Sequence, residues 1–233
     1  MKNTVRTDLG SDRRPAIIFD LDGTLADTAP GVWHCVQQVL IRHCLPPLPD
    51  SLRQSFMSCS PLTRAFTCYC GVSGSNAAAM ALTFSACYAE EGVTMASIYQ
   101  GIPDLLQELA ASGCSLGIAT YKFQPNAMRM LAMMGLAGYF SAISGYSHGA
   151  NNKSDIIRDC INALKVLPSQ CIMVGDSETD LQASMEVGCR FVAVTYGYGF
   201  TAADTEPAIL HAARDTAELR RQLHSMLCHT TAV

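Results

Sequence analysis

Residues Phe19 to Thr28 read FDLDGTLADT and follow directly on the apolar run Ala16 to Phe19. Such a run reads as a short buried strand that ends at Asp20. Residues two apart in a strand point to the same side, so Asp20 and Asp22 share a side. Two carboxylates placed together repel, and burying them is costly unless a cation joins them. A strand end that crowds its acids in this way asks for a positively charged partner.

Composition limits what that partner serves. The chain has 233 residues, 49% hydrophobic and 15% charged, which suits one large domain or a core domain with a smaller insert. The formal net charge is −4 and no basic stripe occurs, which argues against nucleic acid as a partner. Met1 to Arg14 is polar with no apolar h-region, and no apolar run is long enough to span a membrane. The eleven cysteines form no regular framework, so free thiols in a reducing cytoplasm are expected. Cys68 and Cys70, with His34-Cys35 and His43-Cys44 upstream, lack the paired spacing of a zinc site and read as small core hydrophobes.

The chain changes rhythm twice. Val32, Val36, Val39 and Leu40 recur at helical spacing until Leu45 to Asp50 (LPPLPD) breaks the pattern. Ser51 to Cys59, Leu62 to Tyr69 and Asn76 to Glu90 are then candidate helices, so the stretch up to about Gln100 reads as an all-helical insert. From Gly101 strand and helix alternate. Strands are expected at Ser115–Ala119, Phe140–Ser144, Gln170–Val174 and Phe191–Val194, with helices between them and a capping box at Asp215 and Glu218. This alternation predicts an α/β fold, a three-layer parallel sheet covered by helices, whose ligands gather at the carboxyl ends of the strands.

Those ends are polar. The first carries Asp20, Asp22, Gly23 and Thr24, the second Thr120, and the strand before Gly175 carries Asp176, with Asp180 four residues on. Lys153 opens the helix before that strand. Clustered carboxylates with few cations suggest a hard, oxygen-liking metal such as Mg²⁺. The added lysine, hydroxyl and glycine turns suggest a phosphoryl group. Singly the motifs are bland: Asp-Gly fits a turn, and GDSETD (Gly175 to Asp180) fits a helix start with acids in its first turn.

Taken in order, DLDGTLADT, Thr120, Lys153 and GDSETD resemble the four-motif signature of the haloacid dehalogenase superfamily over about Ala16 to Gly199. The likeness is greatest to its phosphoglycolate-phosphatase-like branch, through GIPDLLQELAASG (Gly101 to Gly113) and VTYGYG (Val194 to Gly199). Two departures are Ser154 where proline is commoner and Tyr121 where asparagine is frequent. The resemblance implies a Rossmann-like core of residues 1–27 and 101–233 and a helical cap of residues 28–100. It implies Asp20 as nucleophile of an aspartyl-phosphate route and Asp22 as proton donor and acceptor. Mg²⁺ would bind the Asp20 side chain, the Asp22 main-chain carbonyl and Asp176, with Asp180 positioning a water or Lys153. Thr120 and Lys153 would hold phosphate oxygens, with backbone donors near Leu21, Gly23 and Tyr121.

The insert has six charges that sum to zero and no lysine, so it cannot form the Schiff base of relatives that cleave carbon–phosphorus bonds. Asp22 is absent from relatives that remove halide. Arg64, in SCSPLTRAF (Ser58 to Phe66), is a candidate reader of a substrate carboxylate or second phosphate, or else a solvated helix arginine. Lys122 reads equally as a solvated loop residue or a substrate contact, and Tyr196 to Gly199 (YGYG) as a loop near the site. The expected activity is Mg²⁺-dependent hydrolysis of a small phosphorylated metabolite, phosphoglycolate being one candidate, by a monomer or homodimer. A phosphomutase and a non-catalytic phosphate-binding protein are the alternatives.

Overall fold

The computed structural model describes residues 14–147, 152–201 and 211–230. Residues 1–13 of the Met1 to Arg14 stretch read above as polar lie outside that range. The chain opens with β1 (Ala16–Phe19) and a short β2 (Ala26–Asp27). Four helices follow: α1 (Ala29–Arg42), α2 (Arg53–Met57), α3 (Leu62–Cys70) and α4 (Gly74–Glu90). A short β3 (Ser97–Ile98) then leads to α5 (Ile102–Ala111), β4 (Ser115–Phe123), α6 (Gln124–Met133) and β5 (Ala142–Tyr146). The remainder is α7 (Lys153–Leu164), β6 (Cys171–Gly175), α8 (Glu178–Val187), β7 (Arg190–Val194), β8 (Ala212–Ala213) and α9 (Thr216–Thr230).

The main sheet has the order β5-β4-β1-β6-β7-β8, and each of its pairings is parallel. The two-residue period sorts its side chains into two layers. Ile17, Phe19, Ile172 and Val174 face one core with Leu105, Leu106 and Leu109 of α5, Met130 of α6 and Leu219 of α9. Ala16, Ile18, Cys171 and Met173 face the other with Ile156, Ile157 and Ile161 of α7. This is the expected three-layer α/β architecture, and both faces of the central strands are buried because helices cover them.

α1 to α4 gather a third cluster. Trp33, Val36, Val39 and Leu40 meet Phe56, Phe66 and Met80, and the Phe56 ring lies edge-on to Trp33 and to Phe66 at 6.0 and 5.6 Å. The segment enters and leaves through β2 and β3, which pair antiparallel, Ala26 opposite Ile98 and Asp27 opposite Ser97. Two residues per strand carry no periodicity, so sequence reading passes over them. The segment is not separate from the sheet: Cys87 and Tyr88 of α4 join the first core cluster.

Two strands, β4 and β5, differ from expectation by two residues or more at an end. β4 runs on to Phe123 past a register shift between Thr120 and Phe123, and β5 begins at Ala142 and ends at Tyr146. Both extensions continue the edge pairing of β4 with β5, a tertiary contact that a local window does not see. The cysteine expectation holds in part: Cys35 is buried and Cys70 half-buried, but Cys44 and Cys68 are exposed. No helix among the described residues is long and apolar enough to cross a membrane.

Candidate active site

Asp20 extends β1 by one residue. Its N–H donates to the carbonyl of Val174 at 2.8 Å, which continues the β1–β6 ladder and fixes the side chain at the sheet's carboxyl edge. β6 brings Asp176 to the same edge. α8 starts immediately afterwards, capped by Ser177, whose hydroxyl donates to Asp180 Oδ2 at 2.6 Å. α7 starts at Lys153, capped by Asn152, whose side chain accepts from Asp155 N at 2.8 Å. Lys153 is therefore aimed by a helix start, and its ammonium lies 2.6 Å from Asp20 Oδ1 and 2.7 Å from Asp180 Oδ1. Asp180 has one oxygen on the cap of its own helix and one on Lys153.

Asp20, Asp176 and Asp180 are all buried, and carboxylate oxygens of the three lie within 4.8 Å of one another. Among the described residues this is the one group of His, Cys, Asp and Glu gathered closely enough to hold a metal ion, so the cysteine-rich stretch has no such group. Burial pushes Asp20 up to about 7, with Lys153 opposing the rise and Asp180 and Asp22 adding to it. Burial likewise pushes Asp176 up to about 8, helped by the charges of Asp180 and Asp20 and opposed by the amides of Tyr198 and Gly199. Burial disfavours the Lys153 ammonium, but Asp180 and Asp20 outweigh it and raise Lys153. One ammonium cannot balance three buried acids. The donor set fits a divalent cation, which would supply the missing charge.

Asp22 stands apart from that trio. Its two oxygens accept from Lys122 Nζ at 2.8 and 3.0 Å, and the same ammonium sits 4.1 Å from the ring centroid of Tyr88 on α4. Lys122, open to two readings in the sequence, is thus almost buried and ties the site to the helical segment. Burial disfavours its charge, but Asp22 and Tyr88 outweigh that and raise it. Thr120 is buried at the same edge, its hydroxyl accepting from the Lys122 N–H at 3.1 Å.

Three candidate residues make contacts that the sequence did not show. The Gly23 N–H donates to the carbonyl of Ala26 at 2.9 Å, so it is not a free phosphate donor. Gly23 instead makes room: at φ 79° a Cβ there would collide with the Asp176 carboxylate and with the Tyr198 ring. Tyr121 packs into the second core cluster, and its hydroxyl accepts from Lys153 N at 2.9 Å, so its side chain steadies the start of α7. Arg64 is exposed on α3, where Ala65 and Phe66 take the inward positions, and lines a neighbouring groove of about 620 Å³ rather than the cavity that holds Asp20. That exposed position is the solvated helix arginine of the two sequence readings.

Tyr198 lies in the loop expected near the site, but its contacts were not legible in the sequence. Its N–H donates to Asp176 Oδ2 at 2.6 Å, and its hydroxyl donates to Asp27 Oδ1 at 2.7 Å while accepting from Thr28 N at 2.6 Å. It couples Asp176 to the point where the helical segment begins. The signal was the glycines around it, since a Cβ at Gly197 or Gly199 would strike Asp176. Gly23→Ala is expected to lower stability by at least about 1–2 kcal/mol from the left-handed backbone alone. The displaced Asp176 should lower activity further; urea unfolding and turnover measured on one preparation check both.

Comparison with known proteins agrees with this geometry. A family model for haloacid dehalogenase-like hydrolases matches residues 17–194. The chain is 34% identical to phosphoglycolate phosphatase of Rhodospirillum rubrum over 194 residues, 78% of this chain and 80% of that one. It is 32% identical to tyrosine-protein kinase PtkA of Mycobacterium tuberculosis over 212 residues, 89% of this chain and 72% of that one. The structure of a predicted phosphatase from Clostridium acetobutylicum superposes with a TM-score of 0.84 at 27% identity, covering 91% of this chain and 99% of that one. The motif order, the parallel sheet and the match along most of the core agree: the chain belongs to the haloacid dehalogenase-like hydrolase family, on the side of its phosphoglycolate-phosphatase-like branch.

Proposed function

We propose that this chain is a Mg²⁺-dependent phosphatase that hydrolyses a phosphomonoester through a phosphorylated Asp20. One observation carries the reading: Asp20 is buried at the sheet edge beside Lys153, with Asp22 lining the same cavity. Relatives named as phosphatases support it. Residues 28–100 would be a cap over a core of residues 1–27 and 101–233, with β2 and β3 as the paired crossing.

The roles follow from position. An Asp20 oxygen attacks phosphorus, and the bond from phosphorus to the ester oxygen breaks. Asp22 gives a proton to that oxygen, so the alcohol leaves neutral. Asp22 then takes a proton from the water that attacks the phosphoryl group, which releases phosphate and restores Asp20. Lys153 and Thr120 hold phosphoryl oxygens. Asp20, Asp176 and the Asp22 carbonyl would hold Mg²⁺, which would supply positive charge against the phosphoryl oxygens.

Phosphate release from a panel of phosphomonoesters with and without Mg²⁺ tests the reading, and phosphoglycolate belongs in the panel because of the relatives named for it. Borohydride reduction during turnover should convert residue 20 to homoserine; its absence under saturating substrate counts against the covalent route. Asp22→Asn is expected to slow turnover by about 10²–10⁴-fold, the range for a lost general acid–base group. Mg²⁺ binding measured by calorimetry should survive, because only the main chain of Asp22 is used. A mutase is less favoured, since the helical wall has no charged group to hold a second phosphate.

A further inference from the structure

The carboxylates open into a cavity of about 700 Å³, within the size range of sites for drug-sized molecules. Its far wall comes from the helical segment. Phe56, Met57, Leu82 and Phe84 line it beside the hydroxyl side chains of Ser60 and Thr63, and among the described residues that segment contributes no charged side chain to it. The core contributes two ammonium groups, Lys122 and Lys153, and both are committed to carboxylates. Arg64 lines the other groove.

A second anion on the substrate would therefore find no free cation. Taking a carboxylate out of water without a partner is strongly unfavourable, whereas an apolar body gains from the same transfer. Detaching Lys122 to meet a substrate carboxylate would strip Asp22 of its pair and break the contact with Tyr88. We infer that the substrate is the phosphate monoester of a bulky, uncharged and largely apolar alcohol, and that phosphoglycolate is a poor substrate. The inference rests on the phosphatase reading, with Asp20 and Lys153 taking the phosphoryl end and the helical wall taking the alcohol.

Three esters of primary alcohols separate the possibilities: ethyl phosphate, 2-phenylethyl phosphate and phosphoglycolate, each assayed with Mg²⁺. The expected kcat/KM for 2-phenylethyl phosphate exceeds that for ethyl phosphate by about 10- to 100-fold, chiefly through KM. Phosphoglycolate should fall at or below ethyl phosphate. Leu82, 57% exposed and on the wall, can be changed without opening the core. Leu82→Arg should shift the ratio of 2-phenylethyl phosphate to phosphoglycolate toward the acid by about tenfold or more, the scale of one new ion pair in a partly buried site. Met57→Arg repeats the test from α2, and a thermal melt of each variant confirms its fold.

Phosphoglycolate turned over as well as 2-phenylethyl phosphate or better would overturn the inference and leave the phosphatase reading standing. A ratio unmoved in both arginine variants would remove the helical wall as the selector and overturn it as well. Phosphate release from none of the three would overturn the phosphatase reading, and the inference with it.

Discussion

Asp20→Asn is expected to lower phosphate release by about 10⁴-fold or more, the scale on which removal of a covalent nucleophile acts. The amide has the shape of the carboxyl but cannot attack phosphorus. The fold should not suffer. Lys153 keeps Asp180 at 2.7 Å, and one of three crowded buried acids loses its charge. The thermal midpoint should therefore stay level or rise while turnover vanishes, a pairing that separates a chemical role from a structural one. A variant that kept a tenth of the activity would remove Asp20 as the nucleophile. One that lost activity and stability together would leave its role undecided between the two, and the borohydride experiment on wild type would then decide it.

The site was legible where local pattern and chemistry coincide. An apolar run ending in Asp20, a glycine after Asp22 and an Asp-Ser pair before a helical stretch each announce a strand end or a helix cap. Their order along an alternating chain placed them on one edge. Asp180 was readable in the same way, because its capping box with Ser177 is local. Lys122 was not. Its partners are Asp22 and Tyr88, far away in sequence and brought near by the sheet and by the helical segment. Tyr198 was hidden for the same reason, since its three partners lie in β2, at the start of α1 and beside β6. Arg64 kept two readings in the sequence because position along the chain does not give the face of a helix. Ala65 and Phe66 claim the inward side of α3, and Arg64 takes the outward one. The cavity's selectivity could not be read either, because an absence of charge becomes informative only when it is known which side chains share a wall.

Lys153→Met is the substitution expected to cost the most stability. Methionine keeps an unbranched stem of similar length, so the change removes the ammonium and little packing. The Lys153 side chain is 4% exposed, and its ammonium has Asp20 at 2.6 Å and Asp180 at 2.7 Å. Without it two buried carboxylates lose their shared cation and a third, Asp176, stays close by. Breaking a buried pair from one side costs about 3–5 kcal/mol, because the surviving charge is left without compensation. For a chain of this size that is roughly 6–20 °C of thermal midpoint. Urea unfolding in the presence of a chelator measures it, with Lys165→Met, at an exposed position, as the control. Added Mg²⁺ should return more stability to Lys153→Met than to wild type, because a cation binding there meets acids that no ammonium holds. A loss below about 1 kcal/mol would put Lys153 on the footing of a surface ion pair and remove it as the balancing charge of the site. A full loss that Mg²⁺ does nothing to relieve would keep the ion pair but remove the three acids as a cation site.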